Sequence, residues 1–436
     1  MSNFEGQLPT LVISHHVSAV AWSPVTRVLF RFFGLFFVLS NLGWVFSVAG
    51  LGNAYNNALA KPVVWTARNI LDIQRDFPIQ FNGSGDRTYD YTLFFLFGIL
   101  SLIGTVVWSM ADSRRPHYRR LHEWLRVFLR YVLGLTMLGY GFAKVFWMQM
   151  QFPSLNRLLQ PHGDSSPMGL AWTYMGYSEA YSIFAGGLEV LGGFLLFWRR
   201  TTLLGALILL GVVINIVAVN FCFDVPVKLY SVQLTLTTLF LLAPDIQRLW
   251  NGVVMRKSVP AQVFVPHFRD QRINKVLFWL KHVVLAAYLV YALKGSLEAR
   301  QQYGPGYQRS ALYGIWEVEM FVRNGDTIPA LLDDQVRWRR MVADRDGVIY
   351  VYRMDDTRNT YQSVIDTTAH TLRLNTYQDT ATRYQLDYAR PTKDRLTLRG
   401  VWQADTLFVA FRQFDLTNFE LVSRGFNWVN EYPHNR

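Results

Sequence analysis

The chain has 436 residues, 51% hydrophobic, 15% aromatic and 17% charged, with a formal net charge of +12 and a mean hydropathy of +0.12. So much apolar side chain excludes intrinsic disorder, and the length exceeds one small domain. The single cysteine, Cys222, excludes an intramolecular disulfide, a CxxC redox pair and any cysteine-based zinc or iron–sulfur site.

The charge is unevenly placed. Residues 1–306 hold 26 Lys+Arg against 14 Asp+Glu, whereas residues 307–436 hold 17 of each. The basic excess brackets long apolar runs. That pattern points to membrane orientation and away from nucleic acid, which selects Lys and Arg interleaved with aromatics on a solvated face.

A bilayer is crossed by about 20 mostly apolar residues. Seven candidate spans follow in chain order: 28–51, 91–111, 131–147, 180–198, 203–223, 229–249 and 276–293. With the N-terminus inside, the inner loops carry 13 Lys+Arg, among them Arg114, Arg115, Arg199, Arg200 and Arg269, and the outer loops carry 6. This positive-inside bias orients the chain with its N-terminus in the cytoplasm and everything after the seventh span outside, the periplasmic face of a bacterial inner membrane. The first 26 residues contain no Lys or Arg and no convincing cleavage site follows, so the first span reads as a retained signal anchor.

The outer loop 52–90 is long. Within it, residues 62–75 predict a helix lying on the membrane, and Gly83-Ser84-Gly85-Asp86 predicts a turn. Residues 149–178 form a second outer loop, rich in Pro and aromatics, that suits an interfacial cap. Residues 294–310 read as a linker. Beyond them, eight short runs alternate apolar and polar residues between turn signals: 315–322, 335–342, 347–354, 360–366, 370–377, 382–388, 395–402 and 406–414. Strands at this spacing predict a sandwich or small barrel, and eight in a meander can close without an edge. Alternation is weakest at Ile349-Tyr350-Val351-Tyr352, where both faces are apolar. The predicted organisation is therefore an all-α membrane domain at 1–293, a linker, and an all-β extracytoplasmic domain at 311–436.

Ionisable residues inside spans are expensive and usually face a partner or a cavity. Lys144 and Glu189 are the two candidates for catalytic roles, with Asn215 at a similar depth by helical rise. The functional alternative is a Lys–Glu pair lining a polar pocket open to the outside. The structural alternative is a pair that fixes helix packing. Asn215, Asn220, Asp224, Lys228 and Asp86 are candidates for the pocket wall or its mouth, with helix capping as the other reading of Asp224 and Lys228. Glycines around Glu189 (Gly186, Gly187, Gly192, Gly193) and on the third span (Gly134, Gly139, Gly141) predict close helix approach. Cys222 reads as an inert small residue. His15 and His16 are adjacent and no HxxxH or HExxH occurs, so a helical metal site is not expected. Gly314-Ile315-Trp316 at the first strand looks like the lipocalin-type barrel signature. In that family the Trp plugs the barrel floor and a late Arg stacks on it, a role open here to Arg412 or Arg424. The tail 423–431 could dock on the outer loops or lie free.

The segment Tyr140-Gly141-Phe142-Ala143-Lys144, the following Gln151-Phe152-Pro153, and Gly186, Glu189, Gly192 and Gly193 in a Gly-x-x-Glu-x-x-Gly-Gly pattern resemble the DoxX/DoxD-like family of bacterial membrane proteins. The likeness covers residues 126–250. It implies a four-helix core and, for some members, quinone-coupled sulfur oxidation or redox-stress complexes; only Lys144 and Glu189 carry over as site positions. The lone cysteine argues against a thiol relay. Two functions follow as expectations. One is a redox-associated membrane protein that binds a quinone or other lipid-soluble ligand. The other is a non-catalytic binder or transporter whose periplasmic barrel captures a ligand or protein partner while the membrane part anchors it or passes the ligand on. The expected partners of the chain are the bilayer and a hydrophobic small molecule or a membrane protein. A carboxylase of the vitamin-K-dependent type shares the architecture alone.

Overall fold

The computed structural model describes residues 21–261, 268, 270–376 and 383–435. His15, His16, Arg269 and the ends of two expected strands, Tyr377 and Thr382, lie outside these. Helices come first: α1 Pro24–Val48, α2 Gly52–Asn69, α3 Thr88–Ala111, α4 Arg119–Val145, α5 Leu155–Leu159, α6 Pro167–Tyr177, α7 Glu179–Leu195, α8 Thr202–Cys222, α9 Lys228–Leu242, α10 Ile246–Leu249 and α11 Gln271–Gln302. Strands follow: β1 Arg309–Arg323, β2 Asp326–Thr327, β3 Trp338–Arg345, β4 Val348–Arg353, β5 Arg358–Asp366, β6 Thr371–Thr376, β7 Arg383–Thr392, β8 Arg395–Trp402 and β9 Asp405–Gln413. A short helix, α12 Glu420–Ser423, comes last.

Five described helical stretches are long and apolar enough to cross a membrane: Pro24–Val48, Thr88–Ala111, Thr202–Cys222, Lys228–Val254 and Gln271–Gln302. Two of the seven expected spans differ from these. The α4 helix carries Arg126, Arg130 and Lys144 along its length, and α7 has only 17 residues. The helix expected at 62–75 begins ten residues earlier, at Gly52, and tolerates Pro62 within it. The stretch read as a linker is largely ordered: α11 continues to Gln302 and β1 begins at Arg309.

The chain divides into two compact units. One holds the described residues up to Leu133 together with Pro226–Pro244; the other holds Gly134–Val225 and Asp245 onwards. In the first, α1 packs on α2 and α3. Arg31 of α1 is buried, and its guanidinium donates to the Tyr118 hydroxyl (2.7 and 3.1 Å), Ser109 Oγ (2.7 Å) and the Asp112 carbonyl (2.9 Å). Arg27, one turn earlier, donates to the carbonyls of Ser113 and Arg115. Two arginines of α1 thus tie it to the turn between α3 and α4.

In the second unit the β strands form an antiparallel meander in sequence order, closed by pairing of β1 with β9. Eight long strands make the barrel and β2 adds a two-residue hairpin. Closure removes the free edge that would otherwise invite another strand. The interior is filled. Leu312, Trp316, Phe321, Met341, Ile349, Leu372, Leu386, Leu398, Val409 and Phe411 belong to one buried cluster. Trp316 is fully buried and its indole N–H donates to the Leu312 carbonyl (2.8 Å). The cation over its ring is Arg390, 5.4 Å from the centroid, in place of the expected Arg412 or Arg424. Gly314 explains the first residue of the Gly-x-Trp pattern: its φ is +144°, and a Cβ there would lie 2.5 Å from Gln413 Nε2 on β9.

The outer wall of the barrel explains the weak alternation in β4. Ile349 and Val351 point into the core, whereas Tyr350 and Tyr352 pack outside against a second cluster of Leu155, Ile315 and Val342. Leu155 belongs to α5, so this wall is covered by the loop that follows α4. Polar bonds fix the contact. The buried Asp344 carboxylate accepts the Leu155 N–H (3.1 Å) and the Tyr307 hydroxyl (2.6 Å). Tyr352 donates to Asn156 Oδ1 (2.8 Å), and Arg345 to Gln151 Oε1 (3.0 Å). Burial, and then the Asp344 hydrogen bond, push the Tyr307 hydroxyl well above its ordinary pKa, so it remains a donor. Two further contacts join helix ends in this unit: Arg300 of α11 to Glu179 of α7 (3.5 Å), and the Trp198 indole N–H to His282 Nε2 (3.1 Å).

Candidate functional site

Lys144 lies one residue before the end of α4 and Glu189 in the middle of α7. The structure brings them together. Lys144 Nζ donates to Oε1 at 2.8 Å and Oε2 at 3.0 Å, and the residues are 5% and 2% exposed. Glycine makes this approach possible. A Cβ at Gly186 would lie 2.6 Å from the Gly141 carbonyl oxygen and 2.7 Å from Lys144 Cβ. A Cβ at Gly193 would lie 2.9 Å from the Gly134 carbonyl oxygen. Both helices therefore place glycines seven residues apart along one antiparallel seam, and any side chain would force them apart. Gly192 does the same toward α8, where a Cβ would lie 2.7 Å from Leu209 Cδ2. Gly139 and Gly187 face open space and take no part.

The Lys144 backbone is held as well. Its carbonyl accepts Ser182 Oγ (3.2 Å) and the Trp147 N–H (2.9 Å). Trp147 has φ +53°, so the chain leaves α4 through a left-handed residue. The Tyr140 ring stands 5.9 Å from Nζ, one turn earlier on α4. A buried ammonium and carboxylate at this distance can hold each other charged, pass a proton, or receive a polar group that displaces one partner.

The remaining candidates do not form one wall. Asn220 is buried near the end of α8, whereas Asn215 is exposed on the same helix and joins no buried polar layer. A shift of five residues is about 140° around a helix, which separates the two. Asp224 is exposed, at φ +50°, just after α8. Asp86 and Lys228 belong to the other unit and serve a helix end. The Asp86 carboxylate accepts the N–H groups of Lys228 (2.8 Å) and Leu229 (3.0 Å), with Lys228 Nζ at 3.7 Å. The residue before α9, Val227, has no side chain able to cap it, so Asp86 satisfies those amides from a distant loop. The Gly83–Asp86 turn seats that carboxylate through the Gly85 N–H, which donates to the Pro226 carbonyl (2.8 Å).

Sequence reasoning passed over Arg31 and Asp344. The signal for Arg31 was present, an arginine inside the first apolar run. For Asp344 there was none, because a strand aspartate reads as a solvated residue until something covers the wall.

No family model matches the chain, and no solved structure matches it. It is 33% identical over 133 residues to the uncharacterized protein YwoB of Bacillus subtilis (strain 168), a match that spans 30% of this chain and 84% of YwoB. Through that stretch the chain belongs to the same family as YwoB.

Proposed function

We propose that the chain is a multi-pass protein of a bacterial inner membrane, with a DoxX-like core at 126–250 and a periplasmic barrel. In this reading the Lys144–Glu189 pair is the polar site for a quinone or another lipid-soluble ligand. The observation that carries the site is the ion pair itself, 2.8 Å long and almost wholly buried between α4 and α7. Such a pair is costly in a bilayer unless it is used or tightly packed. Lys144 hydrogen-bonds or neutralises the ligand, and Glu189 orients Lys144 or exchanges a proton with it.

Loop contacts support the seven-pass topology. Asp86 meets Lys228, Leu155 meets Asp344 and Arg300 meets Glu179, and every partner belongs to a segment assigned to the outside. Arg27 meets Arg115 on the inner side, and Trp198, at the inner end of the fourth span, meets His282 in the inner half of the seventh.

One observation favours the second reading, a non-catalytic binder or transporter. The pair saturates itself inside a glycine crossing, as a packing device would. The barrel interior is filled by its own side chains, so a captured partner would meet its outer surface. Purification in mild detergent, with mass spectrometry and absorbance of co-purified small molecules, separates the two. A bound quinone, lost in Lys144→Ala and in Glu189→Ala, supports the ligand site. Protein that carries no ligand and gives no quinone titration rules it out.

A further inference from the structure

The segment after β9 carries Phe426, Trp428, Val429 and Tyr432, which are among the most exposed large apolar side chains of the molecule; Trp428 is 91% exposed. Phe426 and Trp428 pack edge to face, 5.2 Å apart, and the Arg424 guanidinium bonds Asn430 Oδ1 (2.6 Å). The segment thus has local structure, and that structure presents aromatic rings outward. In water this arrangement is unfavourable, and exposed apolar clusters of this kind mark contact surfaces.

Its root shows what the surface meets. Phe414, Leu416 and Phe419 pack into the cluster around Leu155 of α5. That helix lies in the loop joining α4 to α7. The Phe414 N–H donates to the Ile315 carbonyl (2.8 Å), so the segment leaves the barrel beside the first half of β1 and, being antiparallel to it, heads toward its start; β1 begins seven residues after apolar α11 ends. Seven residues reach at most about 25 Å. The same number separates Phe419 from Phe426. The far rim, at the Asn324–Gly325 turn, is at the opposite end of β1. The exposed aromatics therefore follow a segment that leaves the barrel on the side where β1 begins, the side joined to the end of α11.

We propose that residues 419–432 are an interfacial aromatic anchor that lies in the headgroup layer of the outer leaflet and holds the barrel against the membrane. This rests on the membrane reading above. Trp and Tyr favour that layer because their rings are apolar with one polar edge. Between Phe419 and Tyr432 the charged residues are Glu420, Arg424 and Glu431, so attraction to anionic lipid supplies no affinity, and the contact is with the neutral lipid interface. Aromatic insertion is the binding term, and high salt leaves it intact.

The test uses the full chain in phosphatidylcholine nanodiscs, with Cys222→Ser as background and one environment-sensitive fluorophore per variant. Labels go at Val429→Cys, at Ile103→Cys on the exposed apolar face of α3, and at Val364→Cys on the exposed barrel wall. The expected result is quenching of the 429 label by lipids spin-labelled near the headgroup, strong quenching at 103 by lipids labelled deeper, and none at 364. Adding Phe426→Ser, Trp428→Ser and Tyr432→Ser should abolish quenching at 429 and leave 103 unchanged. These side chains are solvent-facing, so the fold survives the change. A water-like, unquenched 429 label beside a quenched 103 label overturns the anchor alone. A blue-shifted but unquenched 429 label means protein contact and also overturns it. An unquenched 103 label overturns the membrane reading instead.

Discussion

The barrel and helix α11 draw on similar apolar residues and turn them in opposite directions. Ile349, Leu372, Leu398 and Val409 have no exposed surface. On α11, Val276, Trp279, Val283, Val290 and Tyr291 are all at least 60% exposed, and of its described side chains only Leu285 is buried. The barrel turns these side chains into its own core. A 32-residue helix that leaves such side chains exposed is long and apolar enough to cross a membrane, and on the reading proposed above lipid covers that surface. The contrast separates two kinds of polar burial as well. Trp316 and Asp344 are satisfied within the barrel and its covered wall, whereas Lys144 and Glu189 are satisfied by each other between two helices.

That contrast can be broken by mutation. The largest effects belong to the buried pair and the barrel plug. Lys144→Met or Glu189→Leu alone leaves an uncompensated charge and should destabilise the detergent-solubilised protein by about 3–5 kcal/mol, while the double variant recovers most of it. Thermal aggregation of the three proteins measures this, and a double variant no better than the singles would mean that the charges act through more than each other. Trp316→Ala should cost the barrel about 3–5 kcal/mol through the cavity it leaves. Protease sensitivity of the barrel in urea reads the loss, and the helices should resist unchanged. Gly186→Leu comes next. Its side chain collides with α4 at the Gly141 carbonyl and should cost about 1–3 kcal/mol; the same change at Gly187, which faces open space, serves as the control. Asp86→Ala removes the distant cap of α9 and should cost about 1 kcal/mol, seen as faster amide exchange at Lys228 and Leu229. The smallest effect is the sharpest test of the comparison. Val283→Ser on α11 should stay within about 0.5 kcal/mol of the parent, because that side chain is 64% exposed, and Ile349→Ser in the barrel should not.

The eight strands were legible because a half-buried strand alternates, and the one weak run was informative. Tyr350 and Tyr352 broke the pattern because α5 covers them, a tertiary fact that no local period contains. The Lys144–Glu189 contact was legible as a possibility from depth and flanking glycines. Which glycines form the seam was not, since Gly139 and Gly187 differ from Gly141 and Gly186 only in helical phase. Phase also separated Asn215 from Asn220. The limits of α4 and the linker were misjudged for another reason. Charged residues in α4 and at the end of α11 suggested loop, yet both stretches continue as helix, with Arg300 paired to Glu179. Asp86 read as a pocket residue because capping by a loop 142 positions away leaves no local signature.

On the reading proposed above, the apolar helices cross a membrane and the barrel lies on its outer side. Right-side-out vesicles from expressing bacteria test this with single cysteines on a Cys222→Ser background, one at Val364 on the barrel and one at Arg115 between α3 and α4. A membrane-impermeant maleimide should label position 364 at once, and position 115 only after the vesicles are opened. Labelling at 115 in sealed vesicles with protection at 364, or release of the protein by alkaline carbonate, would contradict the account.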